Sequence, residues 1–145
     1  MIRLISCQPL CKLCGSENLD DYKKFERENV NTKYLIFPEK NGRNIHPVVL
    51  YNSMKELFKE YLTESSGMDL IVVSHQDVTM NALRISALEC NSTEKVVFTQ
   101  IDSNGLPYDS KIDEKGGLDF WMEDVWDTWE TALTSILDYR SGTKR

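Results

Sequence analysis

The amino-acid sequence predicts an α/β fold: a short, mainly parallel sheet with helices on both faces and an antiparallel extension near the C-terminus. The first observation is the unbroken apolar run at residues 70–73, which is typical of a parallel strand covered on both faces. The second is helical periodicity over residues 47–62. The third is the alternation of strand and helix patterns along residues 33–89, which predicts a βαβ crossover of the usual right-handed kind.

Composition predicts a single globular protein. The chain has 145 residues, of which 41% are hydrophobic and 28% are charged, and this is enough apolar material for a buried core. The formal net charge of -6 argues against direct nucleic-acid binding, because general nucleic-acid binders carry a basic face. No apolar run approaches the roughly 20 residues that cross a bilayer, and the first residues lack a signal-peptide pattern. We therefore expect a cytoplasmic protein with no membrane partner and with reduced cysteines.

The predicted layout is one α/β domain over residues 1–145. Residues 33–137 form its core, and residues 1–32 are a cysteine-containing segment to which the pattern assigns no element. Residues 141–145 form a basic tail, which we expect to be a frayed and solvated terminus.

The core is predicted to begin with a strand and a helix. Residues 33–37 are a short apolar run that Pro38 stops, which predicts a buried strand. Residues 47–62 form a helix, because Pro47 suits the first turn and the apolar positions share one face. Those positions are Leu50, Met54, Leu57, Phe58, Tyr61 and Leu62.

The pattern continues with a central strand, a second helix and a third strand. Residues 70–74 supply the central parallel strand, residues 79–89 the helix and residues 96–101 the next strand. The sequence Asp-Ser-Asn-Gly at residues 102–105 is a strong turn signal. A shorter strand at residues 109–112 is expected after this turn, and it forms the antiparallel extension.

The chain is predicted to end in a helix over residues 120–140. Apolar side chains recur there at helical spacing and form a broad stripe: Met122, Val125, Trp126, Trp129, Leu133, Ile136 and Leu137. Acidic residues near the start suit the positive end of the helix dipole: Glu123, Asp124 and Asp127. A core position is expected for Trp126 and Trp129, and the alternative is that they lie in a protein interface.

Two segments in a fixed order resemble a known group of ATPases. Residues 35–39 (Leu-Ile-Phe-Pro-Glu) precede Ile-His-Pro at residues 45–47, which opens a helix, and residues 73–77 (Val-Ser-His-Gln-Asp) end the next strand. These segments look like the Walker B region and the switch histidine of ATPases related to ABC transporters and to the overcoming-lysogenization-defect nucleases. Residues 101–105 and 117–129 are similar to the C-terminal end of AAA-type ATPases found in phage-defence loci. The likeness covers the predicted core.

The departures from this group argue against unaided hydrolysis. The sequence has no Gly-rich loop ending in Lys and Ser or Thr, which the group uses to hold phosphates. Aligned on Pro38, the positions of the acids that hold Mg²⁺ and orient the attacking water are occupied by Ile36 and Phe37. Glu39 survives after the proline, and residues 40–45 carry a short insertion. We expect that the chain alone does not turn over ATP.

The resemblance implies roles for a few polar residues. His75 stands where the group's histidine reaches the γ-phosphate, and Glu39 is a vestigial catalytic candidate. In a larger assembly, His75, Asn41 and Asp77 would contact ATP and its Mg²⁺. Taken by themselves, the residues favour plainer roles: His75 as a strand-end side chain bonded to a backbone carbonyl, Asp77 as a helix N-cap, and His46 as a residue at a helix N-terminus.

The N-terminal cysteines suggest a separate possibility. Cys7, Cys11 and Cys14 have the spacing C-x₃-C-x₂-C, which looks like one half of a zinc knuckle. A structural zinc site uses four ligands, so Cys90 or His46 would have to complete it. The alternative is a partly buried segment with reduced thiols.

A further interpretation aligns residues 6–10 with the signature segment of the ATPase group, in which Ser-Gln precedes an apolar helix. The chain would then begin just after the Walker A half. With two histidines and no G-x-S-x-G motif, a Ser/His/Asp hydrolase is not supported.

Three functions are compatible with the sequence. The first is a non-catalytic interaction or regulatory protein: a degenerate ATPase lobe that binds a partner ATPase or a copy of itself, in phage defence or counter-defence. The second is a small zinc-binding adaptor. The third is a subunit that completes a composite ATP site in a larger assembly.

Overall fold

A computed structural model describes most of the chain. The described residues are 1–8, 32–36, 38, 45–64, 67–122, 125 and 128–142. Within them, five strands form one mixed sheet accompanied by three helices, so the fold is of the predicted α/β class. In chain order the elements are β1 (Ile2–Cys7), β2 (Thr32–Ile36), α1 (Pro47–Thr63), β3 (Asp69–Val73), α2 (Asp77–Glu89), a 3₁₀ turn (Thr93–Lys95), β4 (Val96–Ile101), β5 (Pro107–Ser110) and α3 (Thr128–Arg140).

The strand order across the sheet is β2-β3-β1-β4-β5. The first four strands are parallel, with Ile2 of β1 opposite Leu70 of β3 on one side and Val96 of β4 on the other. β5 is antiparallel to β4, which confirms the predicted extension. β3 is a central parallel strand, as its apolar run predicts. Among the described strands β2 pairs with β3 alone, and its Lys33 is exposed, so a strand forms where it was predicted but the prediction that it is buried is wrong for Lys33.

The first strand, β1, lies in the middle of the sheet although the sequence pattern assigned it no element. Ile2 and Leu4 are 1% and 0% exposed and belong to the main core. Arg3 alternates with them and extends to the other face of the sheet, where it contacts Thr99 and Asp109. The alternation is that of a strand, but the run is too short to be distinguished from other N-terminal apolar residues.

One face of the sheet packs against α1 and α2. The buried helix residues of this core are Leu50, Met54, Phe58, Leu62, Met80, Ala82, Leu83 and Ala87, and the sheet residues are Ile2, Leu4, Leu70, Val72, Val96 and Phe98. The bounds of α1 confirm the predicted helix, with Pro47 in its first turn. Because both helices follow carboxyl ends of parallel strands, their N-termini lie at that edge of the sheet.

The extension after β4 is built from two turns. Asp102 accepts hydrogen bonds through Oδ1 from the N–H groups of Asn104 and Leu106, at 2.9 Å each, which confirms the predicted turn. β5 then ends at Ser110, earlier than predicted, and Ile112 forms an isolated bridge with Leu118.

The last helix starts later than its periodicity predicts. Gln100 is fully buried in β4 and its Nε2 donates to the carbonyl of Phe120 over 2.8 Å. Its Oε1 accepts a 2.6 Å hydrogen bond from the N–H of Met122. Backbone groups that are satisfied by a buried side chain do not need helical partners. Residues 120–122 are therefore not helical, and the predicted helix over residues 120–140 is wrong in this first part.

Candidate functional site

The carboxyl ends of β1 and β3 lie side by side at one edge of the sheet. The two strands are neighbours, but β1 is followed by β2 at the far edge beyond β3, whereas β3 is followed by β4 on the other side of β1. The chain therefore leaves these adjacent strand ends towards opposite edges of the sheet. In open α/β sheets, ligands bind outside the carboxyl ends of the parallel strands.

His75 follows β3 at this point and contacts two side chains of β1. Its Nδ1 lies 2.8 Å from Oγ of Ser6, and its Nε2 lies 3.9 Å from Sγ of Cys7. Ser6 is fully buried and Cys7 is 8% exposed, so the ring is held at the edge of the core. These three residues are called the Ser6–Cys7–His75 cluster below. Both contacts join the imidazole ring to side chains of β1.

A crevice of about 700 Å³ adjoins the cluster, and this volume is within the range of small-molecule sites. Its lining residues are Pro47, His75, Gln76, Asp77, Val78, Asn81 and Ala132. The polar members offer imidazole, amide and carboxylate groups, and the described lining contains no lysine or arginine. These residues alone therefore match a neutral, hydrogen-bonding ligand better than a polyanion.

Asp77 lines the same crevice, but it is not the N-cap that the sequence predicts. The N-cap of α2 is Gln76, which makes no side-chain capping hydrogen bond, and Asp77 is the first helical residue. A carboxylate in the first turn is stabilised by the helix dipole without capping it. The structure thus brings together His75 and Asp77, as the nucleotide-site prediction requires, while the predicted capping role is wrong.

His46 has the structural role that was expected of it. It is the N-cap of α1, and its Nδ1 accepts a 3.2 Å hydrogen bond from the N–H of Val48. This bond satisfies one of the N–H groups that have no partner within the first turn of the helix.

The described cysteines lie at opposite edges of the sheet. Cys7 ends β1, whereas Cys90 follows α2 and precedes the amino end of β4. A helix of 13 residues is roughly 20 Å long, so Cys90 is too distant to complete a site with Cys7. Among the described residues, no group of three or more His, Cys, Asp or Glu side chains could hold a metal ion.

Several predicted site residues lie outside the described residues. They are Cys11, Cys14, Glu39, Asn41 and Trp126. Trp129 lies in α3, and its side chain is likewise outside the description. The predictions made for these residues stay predictions.

An apolar face of α3 is exposed. Leu133, Ile136 and Leu137 are 45%, 56% and 52% exposed, whereas Met122 and Val125, which belong to the same sequence stripe, are buried in the core. These three exposed residues are called the α3 face below. Ala132, next to them in the sequence, lines the crevice together with Pro47. The predicted stripe is therefore divided between the core and the surface.

Sequence reasoning missed Ser6 as a partner of His75. The two residues are 69 positions apart and meet only because β1 inserts between β3 and β4. The local signal was the apolar run at residues 2–5, which is too short to be distinguished from other N-terminal apolar residues.

Comparison of the chain with protein-family models, curated proteins and solved structures finds no match to any of them. Across the described part of the chain, none of the helices has the length and apolar character needed to span a membrane.

Proposed function

We propose that this chain is a protein-binding module, without ATP hydrolysis of its own, whose α3 face pairs with the same face of a second copy. The observation that carries the proposal is the exposure of Leu133, Ile136 and Leu137, each at least 45% exposed. Burying one such aliphatic side chain fully contributes about 1.5–3 kcal/mol. A contiguous apolar face of this kind is typical of an interaction site.

The charges along the helix favour an antiparallel pair. Leu133 and Leu137 are placed symmetrically about Ser135, so an antiparallel copy would set each leucine against the other. Glu130 and Arg140 are also symmetric about Ser135 and opposite in charge. In an antiparallel pair the two helix dipoles point in opposite directions, which is favourable. The acidic start of one helix also lies beside the basic end of the other.

A second group of exposed apolar residues lies at the start of α1. Ile45, Val48 and Val49, at the start of α1, are 36%, 58% and 56% exposed. Pro47 among them shares the crevice with Ala132 of α3, so the two exposed groups border the same opening. A partner seated on α3 would therefore reach additional apolar area beside the crevice.

The test is the molar mass in solution over a range of protein concentration. Light scattering after size exclusion should give a dimer that dissociates on dilution, and Ile136→Glu should shift the chain to monomer at every concentration. Leu106→Glu is the matched control, because Leu106 is equally exposed at 56% but lies in the turn before β5. If the wild-type chain is monomeric at every concentration, the proposal that a second copy covers the α3 face is refuted.

The resemblance supplies the other occupant of the same face. That occupant is a partner ATPase in a phage-defence or counter-defence setting, and it is proposed from the sequence resemblance. If wild-type chain is monomeric and binds such an ATPase through α3, Ile136→Glu should abolish that binding while Leu106→Glu preserves it.

A second candidate function is supported by the crevice. We propose as the alternative that His75 and Asp77 complete an ATP site in a larger assembly, because they line a crevice of about 700 Å³ beyond the carboxyl end of β3. The described lining has no lysine or arginine, so the cations that neutralise the triphosphate and its Mg²⁺ would come from the partner.

This alternative is tested by reconstitution. Phosphate release by the complex should fall at least tenfold with His75→Ala, while His46→Ala, the matched control at the only other histidine, should leave it unchanged. Equal rates for the wild-type chain and for His75→Ala would exclude the composite site.

A further inference from the structure

We infer that the helix α3 is marginally stable in the single chain and is completed when a second copy covers it, so that its folding is coupled to association. The inference rests on the pairing proposed above and adds how that pairing is regulated. The concentration of the chain then sets both the amount of dimer and the order of the last helix. Three features carry the inference: the burial pattern of α3, its sequence, and the way in which it ends.

The burial pattern sets α3 apart from the other two helices. α1 buries four side chains and α2 buries six. In the described part of α3, residues 132–140, no side chain is buried: seven are exposed, and Ser135 and Asp138 are half-buried. Met122 and Val125, which precede the helix, are buried in the core. The chain is thus anchored ahead of α3, and the helix itself gains little from packing on its own subunit.

The sequence of α3 adds little stability of its own. The helix has 13 residues, and isolated helices shorter than about 12–15 residues are marginal in water, because most helix stability in proteins comes from the packing of an apolar face. Its charged residues, Glu130, Asp138 and Arg140, form no opposite-charge pair at the i,i+3 or i,i+4 spacing that stabilises a helix. Its three threonines are β-branched and favour a helix less than alanine does. The α3 face is therefore the main source of stabilisation, and it contributes only when a second copy buries it.

The C-terminus of α3 is nevertheless built as a helix end. Gly142 has a φ of +76°, the left-handed conformation that glycine adopts without strain, and its N–H donates to the carbonyl of Tyr139 over 3.2 Å. The N–H of Ser141 donates to the carbonyl of Leu137 over 2.9 Å. These bonds satisfy carbonyls that have no partner further along the helix. The sequence thus specifies where α3 ends, while its own subunit does little to stabilise it, and this combination fits a segment that folds as it binds.

Hydrogen–deuterium exchange on the unaltered full chain tests the inference. At concentrations where light scattering gives a monomer, the amides of residues 133–140 should exchange nearly as fast as in an unstructured peptide, whereas those of α1 should stay protected. At concentrations that give a dimer, the protection of residues 133–140 should rise by at least about tenfold. Equal protection in monomer and dimer would mean that α3 is preformed, which overturns this inference and leaves the pairing intact. A molar mass that stays monomeric at every concentration overturns both.

Thr134→Ala alters the stability of the helix without altering the α3 face. Alanine raises the helix propensity at this exposed position, and the dimer contains two copies of the helix. The dimer should therefore dissociate about 3- to 10-fold less readily. Ser53→Ala, at an exposed position of the packed helix α1, is the matched control and should leave the dissociation constant unchanged.

Gly142→Ala should act in the opposite direction. The added Cβ would meet no described atom within 4 Å, so the change acts on the backbone conformation at positive φ, and the dimer should dissociate about 5- to 30-fold more readily. Gly67→Ala is the matched control, because Gly67 has a φ of +68° with the same open surroundings but lies before β3. It should leave the dissociation constant unchanged. An unaltered dissociation constant in both Thr134→Ala and Gly142→Ala would show that the helix is complete before pairing and would overturn the inference.

Discussion

Oε1 of Gln100 accepts a 2.6 Å hydrogen bond from the backbone N–H of Met122. Gln100 lies in β4 and is fully buried, and Met122 lies just before the described start of α3. The same side chain donates through Nε2 to Oγ of Ser110 and to the carbonyl of Phe120, at 2.7 and 2.8 Å. One buried amide thus joins β4, β5 and the segment that leads to the last helix.

Replacing Gln100 by Leu should destabilise the protein by about 2–4 kcal/mol. The substitution preserves size but leaves the Met122 N–H without its partner in the core, and an unsatisfied buried group costs about 1–3 kcal/mol. Urea unfolding followed by circular dichroism measures the free energy of unfolding. Gln76→Leu is the matched control at an exposed glutamine and should change it by less than about 0.5 kcal/mol. If Gln100→Leu and Gln76→Leu change the free energy of unfolding equally, the hydrogen bonds of Gln100 do not stabilise the fold.

The elements that were predicted correctly are those whose sequence pattern is clear within the element itself. The six apolar positions of α1 repeat along one face, and residues 70–73 of β3 are continuously apolar because both sides of the strand are covered. Both signals are contained within one element. They do not depend on which strand lies beside which.

The features that escaped prediction depend on the order of strands. β1 is central only because β3 and β4 pair with its two sides, and nothing local distinguishes it from a frayed N-terminus. The early part of the predicted last helix is held instead by Gln100, 22 residues from Met122. In the candidate site, His75 was identified from its position after a strand, whereas its contact with Ser6 required the sheet order.

Leu4→Ala tests the central position of β1. Leu4 is 0% exposed in the main core, so truncation should cost about 2–5 kcal/mol through lost burial and the cavity left behind. Leu106→Ala is the matched control at a leucine that is 56% exposed, and thermal or urea unfolding should show a change below about 0.5 kcal/mol. A change of that small size for Leu4→Ala would contradict a buried strand at residues 2–7.

Asp109 should give the stability a dependence on acid pH. Burial raises the pKa of Asp109, but hydrogen bonds from Thr99 and Arg3, together with the charge of Arg3, outweigh it and hold that pKa below its ordinary value of 3.8. Nη1 of Arg3 lies 2.9 Å from Oδ1 of Asp109, and the hydroxyl of Thr99 donates to the same oxygen over 2.8 Å. Because the pKa is lower in the folded protein, the unfolded chain takes up the proton first as the pH falls.

The stabilisation from Asp109 is therefore complete above its ordinary pKa of 3.8 and is lost as the pH falls through the lower folded value. Asp109→Asn should lower the free energy of unfolding by at most about 1 kcal/mol at pH 7, since the pair is partly exposed. The difference between wild type and variant should shrink to nearly zero in denaturant titrations well below pH 3.8. A difference that stays constant down to that acidity would show that charge is not its source.

Reversal of two charges should reveal whether α3 pairs in the antiparallel direction. In that arrangement Arg140 of one copy faces Glu130 of the other, twice by symmetry, so Arg140→Glu should place like charges together. We expect the dimer to dissociate about 5- to 30-fold more readily, and the added Glu130→Arg change should restore most of the affinity. Sedimentation or light scattering at low salt measures this, and Lys111→Glu, an exposed charge reversal away from α3, is the control. If the double variant is as weak as Arg140→Glu alone, the two residues do not face each other and the antiparallel pairing is excluded.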